Sequence, residues 1–292
     1  MKRIMIDSNT PVYGILGNPV CHSLSPVMQN IAFSHLRVPG VYLAFKVTDI
    51  ASAIKGIKAL NIKGVSVTIP YKTDVIEFLD EIEETAEKIK AVNTIVNNDG
   101  KLSGYNTDCS AAMDALSEKT DVRGKTVGII GAGGAARAIG FGLVQKQASI
   151  TIFNRSKHKG KKLADELGGD FLPVSDFHSS ACKIVINTTC VGMWPDVGYM
   201  PIESDKIHKN MVIMDIVYNP VKTRLLQVAE KKGCKTINGI AMFVRQGALQ
   251  FEMWTNKKAP VHVMRDAVLK VLSSGQGKKS RDQEIPAFFK AE

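Results

Sequence analysis

The sequence predicts an α/β protein of two domains. Three observations carry that reading. Short apolar runs alternate with helix-length stretches, the pattern of a parallel, helix-covered sheet. Midway along the chain a glycine-rich turn, Gly131-Ala132-Gly133-Gly134, follows one such run and opens a helix. The 292 residues, at about 150 per domain, suit two cores better than one.

The elements follow in order. Val12–Gly17 reads as a buried strand ending in a turn. Ser25–Leu36 reads as a helix that Ser25 can cap, with Pro26 in its first turn. Val41–Val47 is a second strand, and Asp49–Leu60 a helix with Asp49 as its cap. Gly64–Ile69 is a third strand, and Pro70 starts a helix through YKTDVIEFLDEI. Asn93–Asp108 reads as a hairpin turning at Asp99-Gly100. A helix from Cys109 to Glu118 and the polar stretch EKTDVRGKT lead into the second domain. There, strands are expected at Val127–Ile130, Ser149–Asn154, Lys183–Thr189, Met211–Tyr218 and Lys235–Asn238, with helices filling the gaps. A helical run begins after Gly239. The polar tail from Ser273 reads as a mobile terminus.

Composition narrows the function classes. Apolar residues make up 45% and charged residues 23%, ordinary globular values that exclude disordered, collagen-like and coiled-coil chains. Thirty-eight basic against twenty-eight acidic residues give a net charge of +10. An anionic partner is implied, and nucleic acid, membrane or a phosphorylated small molecule all fit. Five scattered cysteines without a C-x-x-C pair argue against zinc or a disulfide framework and for reduced thiols in a cytosolic protein. The first residues lack the apolar run of a signal peptide. The longest apolar stretch, Val127–Val144, contains Arg137 and clustered glycines, which suits strand, turn and helix better than a membrane span. No cluster has metal-ligand spacing, so no metal is expected; His22 and His35 read as structural or solvent-facing.

The glycine turn matches G-x-G-x-x-A, the Rossmann-like dinucleotide fingerprint. Gly131 permits the tight turn and Gly133 a close backbone approach to pyrophosphate. Ala136 allows close helix packing, and the helix start offers unpaired N–H groups to phosphate. The end of the next strand discriminates between cofactors. An NAD site usually carries an acidic residue there; this chain has Asn154, Arg155 and Ser156, then Lys157 and Lys159. A guanidinium grips a 2′-phosphate that a carboxylate would repel, so the expected cofactor is NADP(H).

In the first domain, Ser23 and Ser25, Thr68 with Lys72, Asn93, and Asn106-Thr107-Asp108 gather at predicted strand ends and helix starts, where open α/β sheets bind ligands. Hydroxyls, amides, one lysine and one aspartate suit a polyhydroxylated acid. Taken singly each has a plainer reading: Ser25 and Asp108 as helix caps, Lys72 as a surface lysine.

GNPVCHSLSPVMQN, VSVTIPYK, AVNTIV, GYNTD, GAGGAARA, NRS, NTTCVGM, DIVYNPVKTRLL and NGIAMFVRQGALQFEMWT stand in this order. Together they resemble the shikimate dehydrogenase family over residues 13–272. The resemblance implies a discontinuous substrate-binding α/β domain, 1–108 with 240–292, and a Rossmann-like NADP-binding domain with a mostly parallel sheet, 109–239. It implies an NADP-dependent oxidoreductase that reduces 3-dehydroshikimate to shikimate in chorismate and aromatic amino-acid biosynthesis. Catalysis falls to Lys72 and Asp108. Substrate binding falls to Ser23, Ser25, Thr68, Asn93, Asp108, Tyr218 and Gln246. The cofactor falls to Gly131, Ala132, Gly133, Gly134, Ala135, Asn154, Arg155, Ser156, Lys159, Thr188, Gly239 and Met242. Implied partners are shikimate and 3-dehydroshikimate, with no nucleic acid and no membrane, for a cytoplasmic monomer or homodimer.

The chemistry agrees with those roles. Hydride addition to a ketone leaves an alkoxide that needs a proton, and the reverse needs a base. A helix start would disfavour positive charge on Lys72, while Asp108 would fix the ammonium. Two departures stand out. The family commonly has asparagine where this chain has Ser66, which leaves a relaxed pocket or a repacked strand as alternatives. Lys159 replaces an arginine of the cofactor clamp, keeping charge but losing guanidinium stacking. Two other readings stay open: a quinate/shikimate dehydrogenase, against which Ser25 and Arg155 argue, and a non-catalytic ligand sensor, against which Lys72 with Asp108 argues.

Overall fold

In the computed structural model, which describes residues 6–178 and 182–274, the chain builds two six-stranded sheets. The first uses β1 (Val12–Gly17), α1 (Ser25–Leu36), β2 (Val41–Lys46), α2 (Ile50–Ala59) and β3 (Gly64–Val67). Next come β4 (Glu81–Ile82), α3 (Glu84–Ile89), β5 (Thr94–Asn98) and β6 (Lys101–Tyr105). The strand order is β2-β1-β3-β5-β6-β4. Strand β1 runs parallel to β2 and β3, but β3 and β6 pair antiparallel with β5. The sheet is therefore mixed rather than parallel throughout. The cause is the hairpin: Asp99 (φ 48°) and Gly100 (φ 95°) both take the left-handed region a tight reversal needs.

The second sheet follows α4 (Asp108–Ser117). It contains β7 (Thr126–Ile130), α5 (Gly134–Gln145), β8 (Ser149–Asn154), α6 (Lys157–Leu167) and β9 (Asp170–Pro173). The chain then crosses to β10 (Ile184–Asn187), β11 (Val212–Asp215), α7 (Arg224–Lys231) and β12 (Lys235–Ile237). All six strands are parallel, in the order β12-β11-β10-β7-β8-β9. The chain thus leaves β7 in one direction and returns beside it at β10. That switch point opens a crevice beyond the strands' carboxyl ends.

Helix α8 (Gly239–Thr255) and α9 (Val261–Ser273) return to the first sheet. Val244, Ala248, Phe251, Met264 and Val268 share a buried cluster with Tyr13, Met28, Phe33 and Tyr42. Ala111, Ala112, Ala115 and Leu116 of α4 instead pack with Val127, Ile129 and Ile139 under the second sheet. No helix among the described residues is long and apolar enough to cross a membrane.

Several local expectations are corrected. No α-helix follows Pro70: residues 70–73 form a turn, a 3-10 turn spans Asp74–Phe78, and Glu81–Ile82 is extended because it pairs with β6. Ser25 does not cap α1. Leu24 holds the cap position, and the Ser23 hydroxyl accepts the Ser25 N–H at 3.2 Å. Asp49 does cap α2, accepting from the N–H groups of Ala51 and Ser52. Between β10 and β11 the chain forms a loop with one 3-10 turn at Ser204–Lys206, not a helix. The polar tail from Gly275 lies outside the described residues.

Candidate active site

The site begins with three hydrogen bonds at the carboxyl end of the first sheet, one between backbones and two between asparagine side chains and backbone. The Lys72 carbonyl accepts the Val92 N–H at 2.7 Å. The Asn106 side-chain amide donates to the Ala91 carbonyl at 2.8 Å. Asn93 Oδ1 accepts the Thr107 N–H, also at 2.8 Å. Three segments distant in sequence are thereby clamped at one corner.

That corner fixes the roles inside N-T-D. Asn106 Oδ1 accepts from the N–H groups of Asp108 and Cys109 at 3.1 and 3.2 Å, so the asparagine satisfies the start of α4. The Asp108 carboxylate makes no cap bond and is free to turn to Lys72, whose Nζ lies 2.5 Å from Oδ2. Asp108 is 4% exposed as a residue, while the Lys72 side chain is 18% exposed. A buried carboxylate thus holds the ammonium of a lysine whose side chain is partly exposed. The cap and surface readings of these two residues both fail. So does the helix-start argument for Lys72, because the turn at 70–73 offers no aligned helix dipole there.

A second cluster forms around the serines. The Tyr218 phenol meets the Ser23 hydroxyl and the Leu24 N–H, and burial raises its pKa. Its ring stacks on Phe243 with centroids 4.1 Å apart. The Ser25 hydroxyl lies at the Tyr42 phenol, whose pKa is also raised by burial. Thr68 stands half-buried where β3 ends, and its N–H donates to Leu16 at 2.9 Å. Gln246 is half-buried on α8, and its amide donates to the Phe243 carbonyl at 2.8 Å. Asn93 is 2% exposed and heavily engaged: its Oδ1 also accepts from Thr94, and its Nδ2 donates to Thr107 Oγ1.

The nucleotide turn closes the other side. Gly131 has φ +116°, and a β-carbon there would lie 2.5 Å from Thr188 Oγ1, so both conformation and space require glycine. Thr188 leaves β10 beside it and donates to the Ile130 carbonyl at 2.7 Å. A β-carbon on Gly133 would meet open space, leaving that backbone accessible to a ligand. At Gly134 a β-carbon would lie 3.0 Å from Cβ of Lys72, so the turn and the lysine are in contact. Ala132 and Ala135 flank these glycines, and Ala136, on α5, is fully buried in the core of the second sheet.

At the end of β8, Arg155, Ser156 and Lys159 are exposed, and the Asn154 amide donates to the Ser156 carbonyl at 3.0 Å. The Ser156 hydroxyl accepts the Lys159 N–H, capping α6. No carboxylate stands at this strand end, where positive charge and free N–H groups suit a phosphate. These residues and the glycine turn fit an NADP nucleotide. Gly239 sits tight on the Ile216–Val217 backbone, and Met242 is 5% exposed in the core beneath the second sheet. The described contacts of both are packing contacts.

Sequence reading missed a buried hub between the two strand ends. Asp215 and Asn187, both fully buried, pair at 3.0 Å. Asn187 Oδ1 also takes the Thr189 N–H and hydroxyl, and Asp215 takes the Val217 N–H and the Thr223 hydroxyl. Burial raises the Asp215 carboxyl to about 6 against these hydrogen bonds. An aspartate at the end of an apolar strand is the signal that was available. His22 lies edge-on to Trp194 with ring centroids 5.1 Å apart. Among the described residues no group of three His, Cys, Asp or Glu is placed to hold a metal.

Comparison with known proteins agrees with this geometry. Residues 15–95 match the model of the shikimate dehydrogenase substrate binding domain. Residues 113–221 match shikimate / quinate 5-dehydrogenase, and 239–269 match the shikimate 5'-dehydrogenase C-terminal domain. A shikimate dehydrogenase (NADP(+)) of Pyrococcus furiosus is 44% identical over 268 residues, covering 91% of this chain and 97% of that protein. A crystal structure of a shikimate dehydrogenase in complex with NADP+ superposes with a TM-score of 0.88 at 40% identity, covering 93% of this chain and 99% of the other. The Thermus thermophilus enzyme in complex with NADP(H) and shikimate gives 0.82 at 32% identity, covering 90% of this chain and all of the other (100%). With nearly its whole length so matched, this chain belongs to the shikimate dehydrogenase family.

Proposed function

We infer that the chain catalyses the reversible, NADP-dependent reduction of 3-dehydroshikimate to shikimate, a step of chorismate and aromatic amino-acid biosynthesis. One observation carries the reading: the Lys72–Asp108 pair faces Gly134 of the nucleotide turn, so proton-transfer group and cofactor site adjoin.

NADPH, when bound, supplies the hydride that reduces the ketone, and NADP+ accepts it in the reverse direction. Gly131, Ala132, Gly133, Gly134 and Ala135 would hold its pyrophosphate, and Asn154, Arg155, Ser156 and Lys159 its adenosine 2′-phosphate. Thr188, Gly239 and Met242 would line its remaining path. Lys72 Nζ gives a proton to the nascent alkoxide and takes it back from the hydroxyl in reverse. Asp108 keeps that ammonium aimed and accepts from a ring hydroxyl. Ser23, Ser25 and Tyr218 would take the carboxylate, and Thr68, Asn93 and Gln246 the ring hydroxyls, sealing the reacting carbon from water.

The division into 1–108 with 240–292 and 109–239 is supported by packing: α8 and α9 bury their apolar faces under the first sheet, and the nucleotide turn belongs to the second. Both halves of the site come from one chain, so a monomer or a homodimer serves equally. All five cysteines are free, which supports a cytoplasmic setting.

The test is a steady-state comparison of shikimate and quinate oxidation, each with NADP+ and NAD+. Highest kcat/KM for shikimate with NADP+ is expected. Quinate as the better substrate would move the chain to the quinate-directed alternative, and no turnover with either would favour a ligand sensor.

A further inference from the structure

Strand β3 and helix α8 meet in register. Gly64 stands against the Trp254 indole, where a β-carbon would lie 2.2 Å from the ring nitrogen. Two residues on, Ser66 meets Gln250, one helical turn back from Trp254. A strand advances about 6.6 Å in two residues and a helix about 6 Å in four, so the pairs stay matched.

From Ser66 buried hydrogen bonds run through Gln250 and Thr94 to the Asn93–Thr107 corner, and on its other side Ser66 bonds to Tyr42. Ser66 Oγ donates to Gln250 Oε1 at 2.7 Å. A serine has one hydroxyl hydrogen, so the Tyr42 phenol, 2.6 Å from Ser66 Oγ, is the donor in that pair. On the far side, the Tyr42 phenol neighbours the buried Ser25 at the start of α1. Gln250 Nε2 donates to Thr94 Oγ1 at 3.0 Å and to the Asn93 carbonyl at 3.2 Å. Thr94 Oγ1 donates to Asn93 Oδ1 at 2.8 Å, and Asn93 Oδ1 takes the N–H of Thr107, the residue before Asp108. Every side chain from Ser25 to Thr107 in this chain is 5% exposed or less. Where the family commonly carries asparagine, Ser66 is therefore neither loose nor open to a ligand: its hydroxyl is spent on two buried partners.

We propose that Tyr42, Ser66 and Gln250 are positioning residues for the reaction, holding the Ser25 hydroxyl and the Asn93–Asp108 corner at a fixed separation across the substrate ring. The inference rests on the functional reading above. It assigns this chain's serine a role transmitted through Tyr42 and Gln250 rather than by contact with substrate. Cutting the chain at any link loosens the carboxylate grip relative to the proton-transfer pair.

The test uses Tyr42→Phe, Ser66→Ala and the double variant, with wild type as reference. Each single substitution should raise the KM for shikimate roughly tenfold while the KM for NADP+ stays within about twofold, because small misplacements at a reacting ring are costly. Both break the same chain, so the double variant should be no worse than the worse single one. Should Ser66→Ala fail to fold, Tyr42→Phe carries the same expectation alone, since it keeps the ring on Trp254. An unchanged shikimate KM with only a lowered melting temperature would overturn the proposal, as would additive losses in the double variant. A wild-type protein inactive on shikimate overturns the functional reading and this inference with it, before any variant is made.

Discussion

Gly134 of the nucleotide turn lies against the aliphatic stem of Lys72: a β-carbon added there would stand 3.0 Å from Cβ and 3.1 Å from Cδ of the lysine. The contact joins the two halves of the site at the reacting group. It makes the fourth residue of the glycine motif answer to catalysis as well as to nucleotide geometry.

Gly134→Val should therefore act on Lys72. The branched side chain would push the lysine stem away from the turn and off its line to Asp108. Turnover should fall at least about tenfold, since misplacement near 1 Å can cost a hundredfold. The fold should survive, because position 134 is the half-buried first residue of α5 and the three atoms nearest an added β-carbon all belong to the flexible Lys72 side chain. Steady-state kinetics with a melting curve check both parts; unaltered kcat would show that the lysine simply steps aside.

Asp108→Asn separates electrostatics from shape. The amide fills the same space and can still hydrogen-bond a hydroxyl, but it carries no charge to hold the ammonium. Asn106, not Asp108, satisfies the start of α4, so the helix should not weaken. Turnover should drop by about ten- to a hundredfold in steady-state kinetics. Turnover equal to wild type would remove Asp108 from the proton-transfer pair.

Much of this corner is legible in the sequence. Polar residues at the ends of apolar runs mark the strand termini that line the crevice, and S-x-S, T-x-P-x-K and N-T-D fall there. The turn Asp99-Gly100 announces the hairpin that brings Asn93 to Thr107. What escapes local reading depends on distant partners. The stretch after Pro70 has a helical composition, yet Glu81–Ile82 is drawn out by pairing with Ser103 and Gly104. Ser66 looks like a small substitution until Tyr42 and Gln250 are placed on either side of it. Asp215 reads as a strand end, and only the return of the chain to β10 supplies Asn187 as its partner.

The exposed clamp at the end of β8 should govern cofactor choice. Arg155→Asp exchanges a phosphate-binding guanidinium for a group that repels phosphate and accepts ribose hydroxyls. Charge-assisted hydrogen bonds contribute about 1.5–3 kcal/mol each. The preference for NADP+ over NAD+ should therefore fall by roughly a hundredfold or more. Shikimate affinity should stay near wild type, because Arg155 is an exposed residue just past β8 of the second sheet, whereas Lys72 and Asp108 follow strands of the first. Fluorescence titrations with both nucleotides measure the first effect and calorimetry the second; an intact NADP+ preference would place the anchor on Ser156 and Lys159.

Asp215 gives a prediction in pH. Burial lifts its carboxyl from 3.8 to about 6, so the native state holds this proton more tightly than the unfolded chain does. Its contribution to stability is complete below the unfolded value and is lost as pH rises through about 6. Asp215→Asn removes that titration. The unfolding free energy of wild type minus that of the variant should fall by on the order of 3 kcal/mol between about pH 4 and pH 7. Urea melts at several pH values would show it, and a flat difference would mean that the carboxyl is not raised.

The central claim is that Lys72 moves the proton while other groups hold the substrate. Lys72→Met tests it most directly, because methionine keeps a straight apolar stem against Gly134 and removes only the ammonium. The decisive measurement is kcat for shikimate oxidation beside the calorimetric Kd for shikimate on the same preparation. A kcat lowered by at least about a hundredfold with Kd within a few-fold of wild type is the predicted result, since general acid–base help is typically worth 10²–10⁴-fold. A kcat near wild type with a strongly raised Kd would contradict the account and make Lys72 a binding residue.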